Sequence, residues 1–130
     1  MERPLIVVRK SEFVLELSTS HGTRVFPVGI GSNPDGADKA REGDCRTPEG
    51  EFRVVSIENS SDWKHEGERV YGPLFLRLDC PPWEGIGIHG TNEPELVGTR
   101  SSRGCIRLRN DDLLAVADEV TVGTRVSIIP

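Results

Sequence analysis

Ile88–Asn110 reads IHGTNEPELVGTRSSRGCIRLRN, and the rest of the chain is organised around it. His89-Gly90 closes an apolar, glycine-spaced run that begins at Gly85 (GIGIH), and Cys105 follows His89 by sixteen positions. The cysteine sits among small and basic residues, Ser101-Ser102-Arg103-Gly104 before it and Ile106-Arg107 after it. A thiol nucleophile needs a base to take its proton and backbone donors to receive an oxyanion. One strand ending at His89, one loop and one turn at Gly104-Cys105 can supply all of these. Glycine within a strand marks close approach of another backbone or a ligand. The remaining elements are then a frame that brings Ile88 and Cys105 together.

That frame is mostly β. Leu5–Val8 and Phe13–Leu17 are short β-rich runs joined by polar residues, which reads as a hairpin. RVFPVGI, from Arg24 to Ile30, resumes a strand, and Pro27 inside it predicts an edge position or a bulge. Three early strands with local turns predict an antiparallel sheet. Gly31 to Glu51 is twenty-one residues without a periodic pattern, and loops of that length are more often functional than idle. FRVVSI (52–57), YGPLFLRL (71–78) and RVSII (125–129) are further strands. Asn110 reads as the N-cap of the one convincing helix. Asp111 and Asp112 fall in its first turn, and Leu113, Leu114, Val116, Ala117 and Val120 form its apolar face. The expectation is a single mostly β domain, residues 1–130, with one main α-helix near the C-terminus docked on a sheet.

Composition narrows the function. With 130 residues, 28% charged and 35% hydrophobic, the chain can build one core. A net charge of −5 without a basic stripe argues against a nucleic-acid partner. Arg100, Arg103, Arg107 and Arg109 form the one basic cluster, inside the central stretch, where they can meet a carboxylate. No apolar run approaches the roughly 20 residues of a membrane span. Leu5–Val8 is too short for a signal-peptide core, so the chain as written is not expected to follow the general export route. Cys45, Cys80 and Cys105 are odd in number and widely spaced, which is no disulfide framework. With no CxxC or HxxxH spacing, no structural zinc site is expected. His21 and His65 read as solvated loop histidines, and Cys45 as a loop filler.

A free thiol is about 3% ionised at pH 7, and making the thiolate dominant takes about 2 kcal/mol, an amount a neighbouring imidazolium can provide. Gly104 permits a tight turn that directs the N–H groups of Arg103, Gly104 and Cys105 at a developing oxyanion. A lone cysteine more commonly serves as a small buried hydrophobe. On pattern alone, a cysteine acyl-transfer site and a structural cysteine both stand, and no substrate follows.

The IHGT and SRGCIRL segments closely resemble the signature of the L,D-transpeptidase (YkuD-type) catalytic domain. GDCRTPEGEF (43–52) resembles that family's GDGKTPEGxF, with Cys45 where glycine is usual, and VFPVGIG, YGPLFLRL and GTRVSI match in order. Arg103 stands where many members carry a second histidine. The resemblance implies a β-sandwich-like domain acting on peptidoglycan stem peptides, with no metal or organic cofactor. Cys105 would be the nucleophile and His89 its proton partner, held in tautomer by the Gly90 carbonyl. Ser102 would buttress the turn and Arg107 pair with a substrate carboxylate. The implied product is a thioester formed as terminal D-alanine leaves. An amine resolves it in a transpeptidase and water in an L,D-carboxypeptidase. A binding module that has lost catalysis is the third reading. Carbapenem β-lactams are the implied inhibitors. The family works in the periplasm or cell wall, whereas a complete chain lacking a leader would be cytoplasmic. The oligomeric state stays open.

Overall fold

Alternation of buried and exposed residues sets the first layer. In the computed structural model, which describes residues 4–130, strands β1 (Leu5–Arg9) and β2 (Val14–Thr19) form the expected antiparallel hairpin. Their pairs Ile6–Leu17 and Val8–Leu15 fall on one face and are fully buried. Phe13 closes the turn at φ 55°, and β3 (Gly22–Pro27) pairs with β2 as an edge strand. Pro27 ends that strand, because it lacks the N–H a longer ladder would need. The chain then crosses to a separate two-stranded sheet made by β4 (Ile30–Gly31) and β8 (Arg100–Ser102).

The large sheet continues with β5 (Gly50–Asn59), β6 (Leu74–Leu78), β7 (Gly87–His89), β9 (Ile106–Arg107) and the C-terminal β10 (Arg125–Ile129), in the order β3-β2-β1-β10-β5-β6-β7-β9. The sheet is mixed rather than antiparallel throughout, since β1 pairs in parallel with β10 and β7 with β9. Both of those partners lie far apart in sequence. The central loop is also more ordered than its composition implies. It holds β8 and β9, and Gly29 exchanges two backbone hydrogen bonds with Arg107, at 2.8 and 2.9 Å, tying the two sheets together.

Leu76, Ile88 and Ile106 line up across β6, β7 and β9 and are fully buried. Leu113 and Val116 of the helix α1 (Asn110–Glu119) belong to the same hydrophobic cluster. Each such side chain contributes about 1.5–3 kcal/mol by leaving water. The mostly β architecture with one helix agrees with the sequence, with one correction at the helix start. Arg109 occupies the N-cap position and Asn110 is already helical, so its side chain is free for another task. Among the described residues no helix is long and apolar enough to cross a membrane.

Candidate active site

Register places the candidate catalytic pair. His89 lies opposite Phe75 on one side and Arg107 on the other. Side chains two apart on a strand share a face, and Cys105, just ahead of β9 and two residues before Arg107, lines the same cleft as His89. The opposite face carries the core residues Ile88 and Ile106. His89, Cys105, Arg107, Ser102 and Arg103 line one cleft of about 280 Å³, whose walls also include His65, Val70, Tyr71 and Gly85. The cleft thus holds the two residues that the sequence singled out, and the two-residue period of the strands accounts for their common side.

His89 is almost fully buried, and its Nδ1 lies 2.6 Å from the Gly90 carbonyl oxygen. A carbonyl only accepts, so the Nδ1 nitrogen carries the proton and Nε2 is left as the basic nitrogen. The ring stacks on Phe75 at 5.5 Å and 11°, and Tyr71 meets it edge-on at 5.1 Å. Gly87 makes the stack possible, because a β-carbon there would stand 2.4 Å from the Phe75 ring. Asn110 provides the outer brace. Its Oδ1 accepts the Thr91 N–H at 2.9 Å, binding the helix start to the turn after His89.

The Cys105 turn has its own support. Ser102 Oγ donates to the Cys105 carbonyl at 2.6 Å and accepts the Gly104 N–H at 3.1 Å. The expected buttress is present, but it occupies one donor that the sequence assigned to an oxyanion. The N–H groups of Arg103 and Cys105 are what the turn has left to offer. Gly104 adopts φ +140°, and an added β-carbon would come within 3.0 Å of the Arg46 carbonyl, so the long loop packs directly behind the turn.

Burial works against charge on both members of the pair. Burial pushes the His89 imidazole down to about 4, assisted by the Arg107 charge and opposed by the Gly90 hydrogen bond. Although Cys105 is partly open to the cleft, the protein packed around its sulfur raises the thiol above its ordinary value. The Gly87 N–H and the charges of Arg107, Arg77 and Lys39 oppose that rise without overcoming it. The thiol donates to the Gly85 carbonyl at 3.3 Å. Both shifts favour the neutral thiol and the neutral imidazole, because desolvation is the largest cause of each.

Several other expectations change. The four arginines do not converge. Arg100 lies over the Phe13 ring at 5.1 Å, Arg109 is exposed, and only Arg103 and Arg107 reach the cleft. His65 is not a solvated loop residue. Its side chain is 37% exposed, yet its Nε2 is buried and the residue lines the cleft. Nothing in its local sequence, a polar run from Glu58 to Arg69, signals this position. Cys80 is buried with its thiol pushed up to about 12, first by desolvation and then by Asp79 and Cys105. Cys45 is half-buried in the loop at φ 56°, a conformation that explains glycine's preference there.

Comparison with known proteins gives a consistent answer. Residues 3–128 match the family model of the L,D-transpeptidase catalytic domain. The chain is 44% identical over 134 residues to the putative L,D-transpeptidase YqjB of Bacillus subtilis, covering 96% of this chain and 70% of that one. It is 62% identical over 122 residues to the probable L,D-transpeptidase ErfK/SrfK of Escherichia coli, covering 85% of this chain and 38% of the other. It therefore spans less than half the length of several curated relatives. The fold superposes on L,D-transpeptidase 3 from Mycobacterium tuberculosis in complex with a faropenem-derived adduct. That match has a TM-score of 0.74 at 20% identity and covers 98% of this chain and 60% of the other.

Proposed function

The chain belongs to the L,D-transpeptidase catalytic-domain family, and from that premise we propose that it transfers peptidoglycan stem-peptide acyl groups through a Cys105 thioester. The observation that carries this reading is the His89–Gly90 contact, because a 2.6 Å bond at Nδ1 leaves Nε2 as the basic nitrogen of a ring that lines the same cleft as Cys105. His89 Nε2 takes the thiol proton as sulfur attacks the carbonyl of the third stem residue. The N–H groups of Cys105 and Arg103 receive the oxyanion, and Arg107 holds the substrate carboxylate through its guanidinium. The resulting imidazolium returns its proton to the departing D-alanine amine. An acceptor amine then attacks the thioester while His89 takes its proton, which releases the cross-linked product and the free thiol. Gly90 fixes the base, Ser102 fixes the turn, and no cofactor enters any step. The 130-residue chain is one catalytic domain in this reading.

Incubation with a disaccharide tetrapeptide, with products resolved by mass, is the test. Cross-linked dimer accompanied by free D-alanine supports transfer to an amine. Tripeptide alone would assign water as the acceptor and make the protein an L,D-carboxypeptidase. Unchanged substrate would exclude both and leave the peptidoglycan-binding module.

The neutral resting pair has a kinetic signature. A free enzyme that needs an uncharged imidazole keeps kcat/KM level from about pH 5.5 to 8 and loses it only as pH falls through about 4. A fall centred near 6.5, the ordinary histidine value, would contradict the buried neutral ring. Stability changes with the same sign. The unfolded chain protonates this histidine below about 6.5 and the folded one only near 4, so the folded state weakens across that window as pH drops.

A further inference from the structure

Two buried side-chain nitrogens lack a hydrogen-bond partner among the described residues, His65 Nε2 and Arg107 Nε, and both residues line the Cys105 cleft. They arrive from unrelated elements. Arg107 lies on β9, in register with His89. His65 begins a two-residue hairpin in which His65 N–H donates to the Glu68 carbonyl at 2.8 Å and Glu68 N–H returns to His65 at 3.1 Å. Glu66 and Gly67 at its tip have φ of 52° and 83°, the pair of positive values that a type I′ turn requires. This turn, and not a solvated loop, aims the imidazole. The ring's outer part remains open while its Nε2 tip is turned inward.

Arginine can only donate, and a stranded buried donor costs on the order of 1–3 kcal/mol until something accepts from it. Glu66 Oε1 lies 3.9 Å from His65 Nε2, too far for a hydrogen bond. Its charge nevertheless favours the tautomer with the hydrogen on that nitrogen. The same Oε1 lies 3.4 Å from Arg103 Nη2, on the cleft's other wall. Both groups of that pair are more than two-thirds exposed, so it contributes little stability and steadies the hairpin tip. The outcome is two covered, unpartnered nitrogens on residues that line one small cleft, with a carboxylate of the protein's own 3.9 Å from one of them.

We infer that His65 is a specificity-determining residue. Its Nε2–H and the Arg107 guanidinium together receive the free C-terminal carboxylate of the donor peptide's leaving residue. This deepens the acyl-transfer reading and rests on it. A carboxylate has two acceptor oxygens and a charge for Arg107. A C-terminal amide retains one acceptor and presents an N–H to donors that cannot receive it, so the site selects acid over amide.

The test measures binding to Cys105→Ala protein, which cannot turn over, using two probes: a stem tetrapeptide ending in free D-alanine and the same peptide ending in the amide. The acid is expected to bind about tenfold to hundredfold more tightly, the range for a charge-assisted hydrogen bond. His65→Phe keeps a ring without the donor and should lose most of that preference. His65→Gln retains an N–H at similar reach and should keep it. An unchanged preference in His65→Phe, equal binding of acid and amide, or binding of neither would overturn the inference. Turnover by the wild-type protein reports separately on acyl transfer. Turnover with a preference insensitive to His65→Phe removes the role of His65 alone, and a His65-dependent preference without turnover removes only the acyl-transfer reading.

Discussion

Replacing Cys105 with alanine is expected to remove the proposed turnover of the disaccharide tetrapeptide, a loss of about 10⁴-fold or more on the scale found when a nucleophile is deleted. It should also abolish the mass expected to be gained on exposure to a carbapenem. The other two thiols make the experiment discriminating. Cys80 is buried, and a thiol pushed up to about 12 holds almost no thiolate at neutral pH. Cys45 lies outside the His89 cleft, with its sulfur 3.8 Å from the Gly43 carbonyl. Cys45→Ala and Cys80→Ala should therefore retain turnover and the carbapenem adduct, with Cys80→Ala losing some stability to a small cavity. Loss of activity in folded Cys45→Ala would move the chemistry to the loop. Equal labelling of wild type and Cys105→Ala by the carbapenem would contradict the nucleophile directly. The resting thiol adds a further check. Because Cys105 ionises above the ordinary thiol range, iodoacetamide should alkylate it more slowly at pH 7 than it alkylates a free cysteine.

His89 and Cys105 were legible in the sequence because each depends on local rules: a glycine-spaced apolar run ending in histidine, and a small-residue turn around cysteine. The tautomer anchor at Gly90 and the Ser102 buttress followed from the family resemblance, and both contacts are present in the geometry. What stayed illegible depends on distant segments. The parallel pairing of β1 with β10 joins the two ends of the chain, and no periodicity within either strand announces it. Asn110 carries a good capping side chain, but the turn after His89 offers it a backbone N–H at 2.9 Å, and that tertiary contact prevails over local capping. Arg100, Arg103, Arg107 and Arg109 look like one patch in a linear reading, while strand alternation and the change of sheet between β8 and β9 separate them. His65 is the clearest case. Its polar surroundings indicate a surface loop, and only the hairpin at Glu66-Gly67 brings the residue to the cleft wall with its Nε2 covered.

The long loop that composition left undescribed yields the second large effect. Asp44→Ala should destabilise the protein by about 3 kcal/mol, the lower end of the range for breaking a covered ion pair, and lower Tm by roughly 10 °C. Asp44 accepts from Lys39 Nζ at 2.9 Å and from the backbone N–H groups of Ala40, Arg41 and Arg46 at 2.8, 3.0 and 3.1 Å. Its side chain is 2% exposed and that of Lys39 5%, so removal strands a covered ammonium and three backbone donors at once. The surface loop around them admits some screening, which is why the lower part of the range applies. Desolvation works against ionisation of Asp44, but the Lys39 bond and the three backbone donors together hold its carboxyl well below the usual range. A depressed folded value means that this stabilisation is complete at neutral pH and declines as pH drops below about 4. Function should follow, because the loop forms part of the Cys105 surroundings. Lys39 lies 5.3 Å over the Trp83 ring and shares a second cleft with Gly85 and Cys105, and the Arg46 carbonyl backs Gly104. Asp44→Asn keeps the shape and one acceptor oxygen, so it should lose less stability than Asp44→Ala while still unpairing Lys39. Thermal unfolding of the three proteins at pH 7 and pH 3.5 separates these contributions. A wild-type Tm that Asp44→Ala leaves within 2 °C would show that the loop holds its shape without this carboxylate, contrary to the four bonds it accepts.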